Sequence, residues 1–428
     1  MLSLIFLFPI VTAIILSSYK RRNTFLPRLG ITPGISALNQ KKSYAQMDRP
    51  LWVHALSVGE VISVVPLVKR LRSSFQDKKI VFSASTKTGF EIANKLLRDD
   101  VNLISFFPYD FLLSVRIAAK KINPSIVIMA ETDIWPNFIY EMKRRRVPVI
   151  LVNARLSNRS FSGYKQVLFL SKPVFSSFSR ICAQSAEDAE RFRLLEIPSE
   201  KISITGNIKF DQQDQPVSLE LIKERKLSMG INKPCRKIIL AGSTHKGEET
   251  LLLEAFIRLK EDIKELLLII APRDPERAKT VCEIFRSAGF VSGLMQTVSK
   301  TETGKVFDVI IIDTIGVLKN LYALADAAFT GGSLVNRGGH NPLEPAAFSK
   351  PIIFGSDMSN FAQISDMLLQ SSGAIQVADA DGLYNAASAI LKNDKTASKI
   401  GKNAFAVYLK NKGAVDKTID IIKDYLEP

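Results

Sequence analysis

Along most of this chain, short apolar runs alternate with stretches whose apolar positions recur every three or four residues. Leu51–Leu56 is such a run, and Val61–Leu71 after it has helical spacing. Lys79–Ala84 precedes Gly89–Leu97, Val101–Phe106 precedes Phe111–Ile122, and Ser125–Ala130 precedes Trp135–Arg146. Pro148–Val152 then leads to a helical stretch around Tyr164–Phe178. Strands alternating with helices at this spacing predict a parallel sheet built from β-α-β units. The pattern breaks at residues 211–234, which are polar and charged, and Asp211-Gln-Gln-Asp-Gln-Pro216 reads as an exposed linker. A second series follows. Lys237–Ala241, Leu266–Ile270, Val306–Ile312, Ala327–Thr330 and Pro351–Phe354 are strands; Glu248–Lys260 and Pro275–Ala288 are helices, and a polar helix near Ala397–Leu426 closes the chain. The pattern predicts an α/β chain with two Rossmann-like domains, residues 23–210 and 235–405, joined by a linker and followed by a C-terminal helix, residues 406–428. Two such domains leave a crevice at the carboxyl ends of their strands, where ligands of doubly wound sheets bind.

The first 18 residues carry no charge and are mostly Leu, Ile, Phe and Val. As a helix they span about 27 Å, just enough for the hydrocarbon layer. Lys20, Arg21 and Arg22 follow at once, so residues 1–22 read as an uncleaved membrane anchor with the remainder of the chain on the cytoplasmic side. A cleaved signal normally has its positive charge before the apolar core, the reverse of the order here.

Length and charge sharpen the picture. A chain of 428 residues suits two domains rather than one core. Its 58 Lys+Arg against 42 Asp+Glu point to an anionic partner, a membrane surface or a phosphorylated substrate. Nucleic acid is disfavoured, because the basic residues are spread out and no zinc-finger or RNP-type motif occurs. Cys182, Cys235 and Cys282 are far apart, as are His54, His245 and His340, so neither a disulfide framework nor a local metal-ligand pattern is present.

The candidate chemistry falls in loops that follow predicted strands. Glu60 closes Leu56-Ser-Val-Gly-Glu60 at a helix start, where a carboxylate either caps the helix or acts as a general base. Glu131 and Asp133 stand at another strand end, before Trp135-Pro-Asn137, and either cap or hold substrate. Asn153-Ala-Arg-Leu-Ser157 carries an arginine and hydroxyls suited to phosphate or carboxylate, and Lys209 stands just before the linker. Arg144, Arg145 and Arg146 are either a lipid-facing cluster or a solvated helix end. In the second half, Ala241-Gly-Ser-Thr-His-Lys-Gly-Glu248 offers small residues and amide N–H groups at a helix start, an anion site without the Walker ending. Arg273 follows a strand and is suited to forked phosphate contact. Gly331-Gly-Ser-Leu-Val-Asn-Arg-Gly-Gly-His340 allows close backbone approach to a ligand, and Asn341, Pro342 and Glu344 then open a helix. A carboxylate there can accept both hydroxyls of a ribose.

Taken together, these motifs resemble those of the 3-deoxy-D-manno-octulosonic acid (Kdo) transferases of lipopolysaccharide assembly. The resemblance rests on Ser-Val-Gly-Glu60, Glu131-x-x-x-Trp-Pro-Asn137, Asn153-Ala-Arg-Leu-Ser157, Gly206-Asn-Ile-Lys-Phe-Asp211, Ala241-Gly-Ser-Thr-His245, Ala271-Pro-Arg273 and Arg337-Gly-Gly-His-Asn-Pro-Leu-Glu344, and covers almost the whole length. It implies the GT-B glycosyltransferase fold, CMP-Kdo as donor and the lipid A precursor as acceptor, with no cofactor and no metal. It further implies Glu60 as catalytic base and Glu131 and Lys209 as transition-state stabilisers. Pro272, Arg273, Ile315, Gly316, Val317, Asn341, Pro342, Leu343 and Glu344 become contacts of the CMP-sugar. Two positions depart from the family pattern, which often has Glu where Asp133 stands and an acid where Val317 stands. The rival readings are a UDP-sugar transferase or epimerase of the same fold, and an inactive membrane-bound scaffold.

Overall fold

The computed structural model describes residues 19–30, 49–132, 134–211, 236–298 and 306–426, with single positions between 220 and 229. Residues 1–18 of the expected anchor (residues 1–22), Asp133, Cys235 and most of the predicted linker lie outside the described residues, while residues 19–22 begin the helix Tyr19–Arg28. Among the described residues, no helix is long and apolar enough to cross a membrane. The chain divides into two compact units, one drawn from Met1–Gln212 together with Lys412–Pro428, the other from Gln213–Asn411.

The first unit is built on a seven-stranded parallel sheet. Its strands are β1 (Leu51–Ala55), β2 (Ile80–Ala84), β3 (Leu103–Phe106), β4 (Ile126–Ala130), β5 (Val149–Ala154), β6 (Arg180–Ala183) and β7 (Ile202–Ile204), in spatial order β3-β2-β1-β4-β5-β6-β7. Alternate residues enter different cores, as a period of two requires. Trp52, Val81, Val127 and Leu151 pack on one face, and Leu51, Val53, Phe82 and Ile128 on the other. Both faces are covered, which is why these strands read as continuous apolar runs rather than alternating ones.

The second unit repeats the design. Strands β8 (Lys237–Thr244), β9 (Leu266–Pro272), β10 (Ser292–Leu294), β11 (Val309–Ile311), β12 (Ala327–Thr330), β13 (Ile352–Phe354) and β14 (Ala374–Gln376) lie in the order β10-β11-β9-β8-β12-β13-β14. In both units the order reverses beside the first strand, at β1/β4 and at β8/β12. That reversal opens the switch point where such sheets take ligands.

The chain's end departs from expectation. In place of one closing helix there are two, Asp394–Asn411 and Ala414–Lys423, and the second belongs to the first unit. Val415, Ile419 and Ile422 form an apolar stripe that joins the core beneath helix Val58–Ser74. The Asp211 carboxylate accepts from the backbone N–H of Gly413 and of Val415, both at 2.7 Å. A helix that looks merely polar in sequence is therefore capped by Asp211 and buried against helix Val58–Ser74, both far away along the chain. Likewise the stretch predicted as one helix around Tyr164–Phe178 is two, Asn158–Gln166 and Leu168–Phe175.

Candidate active site

In the first unit the β1 loop carries Glu60. Ser57 caps helix Val58–Ser74, and its hydroxyl accepts from the Glu60 backbone N–H. The Glu60 carboxylate reaches back, accepting from the Leu56 N–H at 2.6 Å and from the Ser57 hydroxyl at 3.2 Å. This is close to a capping box, so capping is one real role of Glu60. It is not the whole of it, because the half-buried carboxylate also lines a cavity of about 260 Å³ with Leu56, Glu131, Thr132, Arg155, Ser157 and Ser160.

Glu131 reaches that cavity from the end of β4 in a left-handed backbone conformation, φ +55°. This is uncommon for a residue with a side chain, and such strain gathers at functional sites. Its N–H donates to the Val152 carbonyl at 2.8 Å, which holds it against β5. Asn153, at φ +54°, begins the turn that presents Arg155 and Ser157. Leu156 N–H within that turn donates to buried Asp188 at 2.9 Å. The Trp-Pro-Asn motif serves chiefly to start a helix, since Asp110 caps it through the N–H of Asn137 and of Phe138. Lys209 lies outside the cavity lining, on a 3₁₀ turn, Ile208–Asp211, of the same unit.

Arg144 and Arg145 have a structural use. Both pair with Glu141, at 2.8 and 2.7 Å, and Arg116 joins them at 3.5 Å. The Glu141 carboxylate is fully buried, and the Arg144 hydrogen bond leads in holding its carboxyl down at about 2. These two guanidiniums brace a helix end rather than standing free for lipid. Cys182 and Cys282 are both free and buried, and burial pushes the Cys182 thiol up to about 12, so it is inert.

In the second unit Arg273 and the Asn341–Glu344 turn lie near each other. Pro272 ends β9, and the Arg273 N–H donates to the Thr244 carbonyl at 2.9 Å, leaving an exposed guanidinium beside the β8 loop. Its charge acts on Glu344, His245 and His340, which places the three motifs around it. Asn341 caps the turn before Leu343–Ala346, its side chain accepting from the Leu343 N–H at 3.1 Å. Pro342 and Leu343 are buried beneath it. Glu344 is half-buried, and burial pushes its carboxyl up to about 7 against the pull of Lys319 and Arg273. Ile315 is exposed, Gly316 has φ +92°, and Val317 packs its side chain on the core. An acid is thus replaced at Val317 by an apolar contact that faces the protein interior.

The glycine-rich loop is organised by Glu248, a residue the sequence patterns do not single out. Its buried carboxylate accepts from the N–H groups of His245, Gly332, Ser333 and Leu334 at 2.7 to 3.1 Å. The His245 amide expected to be open for an anion is therefore already used by the chain. His245 and His340 have nearly parallel ring planes, with their Nε2 atoms 2.8 Å apart. Burial, with Arg273 next, lowers His340 to about 4, and burial lowers His245 too, so the pair is neutral at pH 7 with one ring donating to the other.

Beside Glu344, Tyr322 is buried against Gly242, where a Cβ would run into the tyrosine hydroxyl. Gly242→Ala is expected to destabilise the second unit by about 1–3 kcal/mol through overpacking, read as a lowered Tm. Adding Tyr322→Phe should recover part of the loss. An unchanged Tm for Gly242→Ala would contradict the close contact.

A family model described as 3-deoxy-D-manno-octulosonic-acid transferase (kdotransferase) matches residues 23–212. The 3-deoxy-D-manno-octulosonic acid transferase of Haemophilus influenzae is 35% identical over 378 residues, 88% of this chain and 87% of that protein. That of Rickettsia felis is 30% identical, covering 92% and 83%. Among solved structures, the UDP-GlcNAc 2-epimerase of Neisseria meningitidis superposes with a TM-score of 0.61 at 13% identity, over 88% of this chain and all of that one. A glycosyltransferase of Rickettsia africae gives 0.55 at 15%, over 88% and 98%. These distant structures share the two-sheet α/β fold of GT-B glycosyltransferases, while the sequence relatives carry the chemistry. The chain belongs to the Kdo transferases, glycosyltransferases of lipopolysaccharide biosynthesis.

Proposed function

We propose that this enzyme transfers Kdo from CMP-Kdo to the lipid A precursor, the tetraacyldisaccharide 4'-phosphate (lipid IVA), with inversion and without a metal, while residues 1–22 hold it to the cytoplasmic face of the inner membrane. The observation that carries the proposal is a cavity of the first unit, where Glu60 and Glu131 stand with Arg155 and the hydroxyls of Thr132, Ser157 and Ser160. Hydroxyls and an arginine suit a phosphorylated sugar, and a carboxylate beside them suits removal of a hydroxyl proton. Glu60 takes that proton as the new bond forms. Glu131 and Lys209 stabilise the transition state. CMP leaves with its negative charge on the phosphate, which Arg273 and the Lys209 ammonium favour by electrostatics alone. The excess of basic residues attracts both anionic substrates and the anionic leaflet.

On the donor side, Pro272, Arg273, Ile315, Gly316, Val317 and Asn341 to Glu344 grip the CMP group, with Glu344 taking the ribose hydroxyls. That role requires an ionised carboxylate, and Glu344 ionises only near 7. CMP affinity should therefore rise as pH is raised through about 7. CMP's own phosphate titrates near about 6, so the decisive comparison in calorimetry is with Glu344→Gln, which should lose the upper step. Identical pH profiles for the two proteins would remove Glu344 from the ribose contact. The stability effect has the opposite sign. A carboxyl raised above 4.5 in the fold stabilises it fully below that value, and the contribution is lost as pH rises through about 7.

The acceptor reading is tested by incubating the full chain with CMP-Kdo or UDP-GlcNAc, with and without the tetraacyl acceptor, and following CMP release and conversion of the UDP-sugar. Release of CMP that depends on the tetraacyl acceptor is expected. Turnover of UDP-GlcNAc alone would instead indicate an epimerase.

A further inference from the structure

Three amide side chains from distant parts of the first unit close a buried circuit around the Lys209 turn. Asn153, Gln184 and Asn207 are 0%, 8% and 8% exposed. Gln184 is the link. Its Nε2 donates to the Asn153 carbonyl at 2.9 Å, and its Oε1 accepts from Asn207 Nδ2 at 3.1 Å. Asn207 Oδ1 in turn accepts from the Lys209 N–H at 3.0 Å. Asn153 Oδ1 accepts from the Ile208 N–H at 3.1 Å, which closes the circuit. Each amide has its oxygen and nitrogen fixed by an unambiguous backbone partner at one end, so the ring has a single orientation. Asn153 Nδ2 is buried without a partner, so the links through Gln184 and Asn207 hold the circuit, and breaking one adds a second desolvated polar group.

What the ring holds is significant. The turn around Lys209 has Ile208 and Phe210 sunk in the core on either side, with Lys209 itself half-buried. Asp211 pins the far end of the turn through the Gly413 and Val415 amides. The other side of the ring is Asn153, whose left-handed backbone launches the loop to Arg155 and Ser157 in the acidic cavity. One glutamine therefore ties the loop that shapes the cavity to the turn that bears the lysine.

We propose that Gln184 is a positioning residue for transfer, acting through Lys209; this rests on the reading of Lys209 as a transition-state stabiliser. A glutamate would not serve, because a carboxylate oxygen would face the Asn153 carbonyl in place of a donor. Methionine has a similar length and neither pole.

The test is a double-mutant cycle with Gln184→Met and Lys209→Ala in the full-length enzyme, measured with CMP-Kdo and the tetraacyl acceptor. Gln184→Met should lower kcat roughly 10- to 100-fold with KM for CMP-Kdo unchanged, and should add nothing to the loss already caused by Lys209→Ala. Hydrogen exchange should quicken at the amides of Ile208 and Lys209 while the rest of the unit keeps its protection. An equal cost of Gln184→Met in both backgrounds would overturn the proposal. A Lys209→Ala enzyme with full turnover would instead remove the reading of Lys209, and this proposal with it. Should Gln184→Met fail to fold, Gln184→Asn keeps both poles on a shorter stem and is read by the same cycle.

Discussion

Glu60→Gln is expected to lower turnover by about 10²- to 10⁴-fold, the usual worth of a positioned general base, while CMP binding stays as in the parent enzyme. The substitution is chosen for the two roles that meet at this side chain. A glutamine keeps one oxygen to accept from the Leu56 N–H, and its NH2 can donate to the Ser57 hydroxyl that donates to Glu60 in the parent, so the start of helix Val58–Ser74 remains capped. It has no lone pair basic enough to take a hydroxyl proton. Glu60→Ala removes both functions and should cost a further 0.5–2 kcal/mol or so of stability. A glutamine variant with near-normal kcat would reduce Glu60 to a cap. A glutamine variant that lost stability as alanine does would show that the charge, not the hydrogen-bonding oxygen, holds the loop.

Arg273→Ala carries the next largest effect. A hydrogen bond from a charged donor contributes about 1.5–3 kcal/mol, which corresponds to roughly a 10- to 150-fold rise in the Kd for CMP. The loss should fall on the donor, with the KM for acceptor little changed. A second consequence follows from the field of Arg273, which holds down the carboxyl of Glu344 and lowers both His245 and His340. Without it, Glu344 ionises at still higher pH, so the pH step in CMP affinity moves upward. Equal losses for donor and acceptor, or an unmoved step, would contradict the placement of Arg273 at the phosphate.

The parts of the fold legible in the sequence were those written in local periodicity. The central strands of both sheets are buried on both faces and read as apolar runs, as in Ile126–Ala130 and Leu266–Pro272. Strands near the sheet edges escaped notice. Arg180–Ala183, Ile202–Ile204, Ser292–Leu294 and Ala374–Gln376 are three or four residues long and carry too little pattern to stand out. The site divides in the same way. Arg273, Glu344 and the glycines sit in recognisable loops after strands, where fold geometry alone directs attention. Glu248 resembles an ordinary acid in a first helical turn, and only its contacts with amides 84 to 86 positions away reveal that it shapes the glycine-rich loop. The His245–His340 pair, 95 positions apart, and the Asn153–Gln184–Asn207 ring are long-range in the same sense. Glu60 is the instructive case. Its sequence context supports both a cap and a base, and the structure gives it a capping geometry and a place in the cavity at once.

The most direct measurement is mass spectrometry of the tetraacyldisaccharide acceptor after incubation with the full-length enzyme and CMP-Kdo in excess EDTA. The acceptor should gain the mass of one or more Kdo residues with the parent enzyme and remain unmodified with Glu60→Gln at equal time. An acceptor left unmodified by the parent enzyme, or modified equally by both proteins, would contradict proton removal by Glu60 as the basis of transfer.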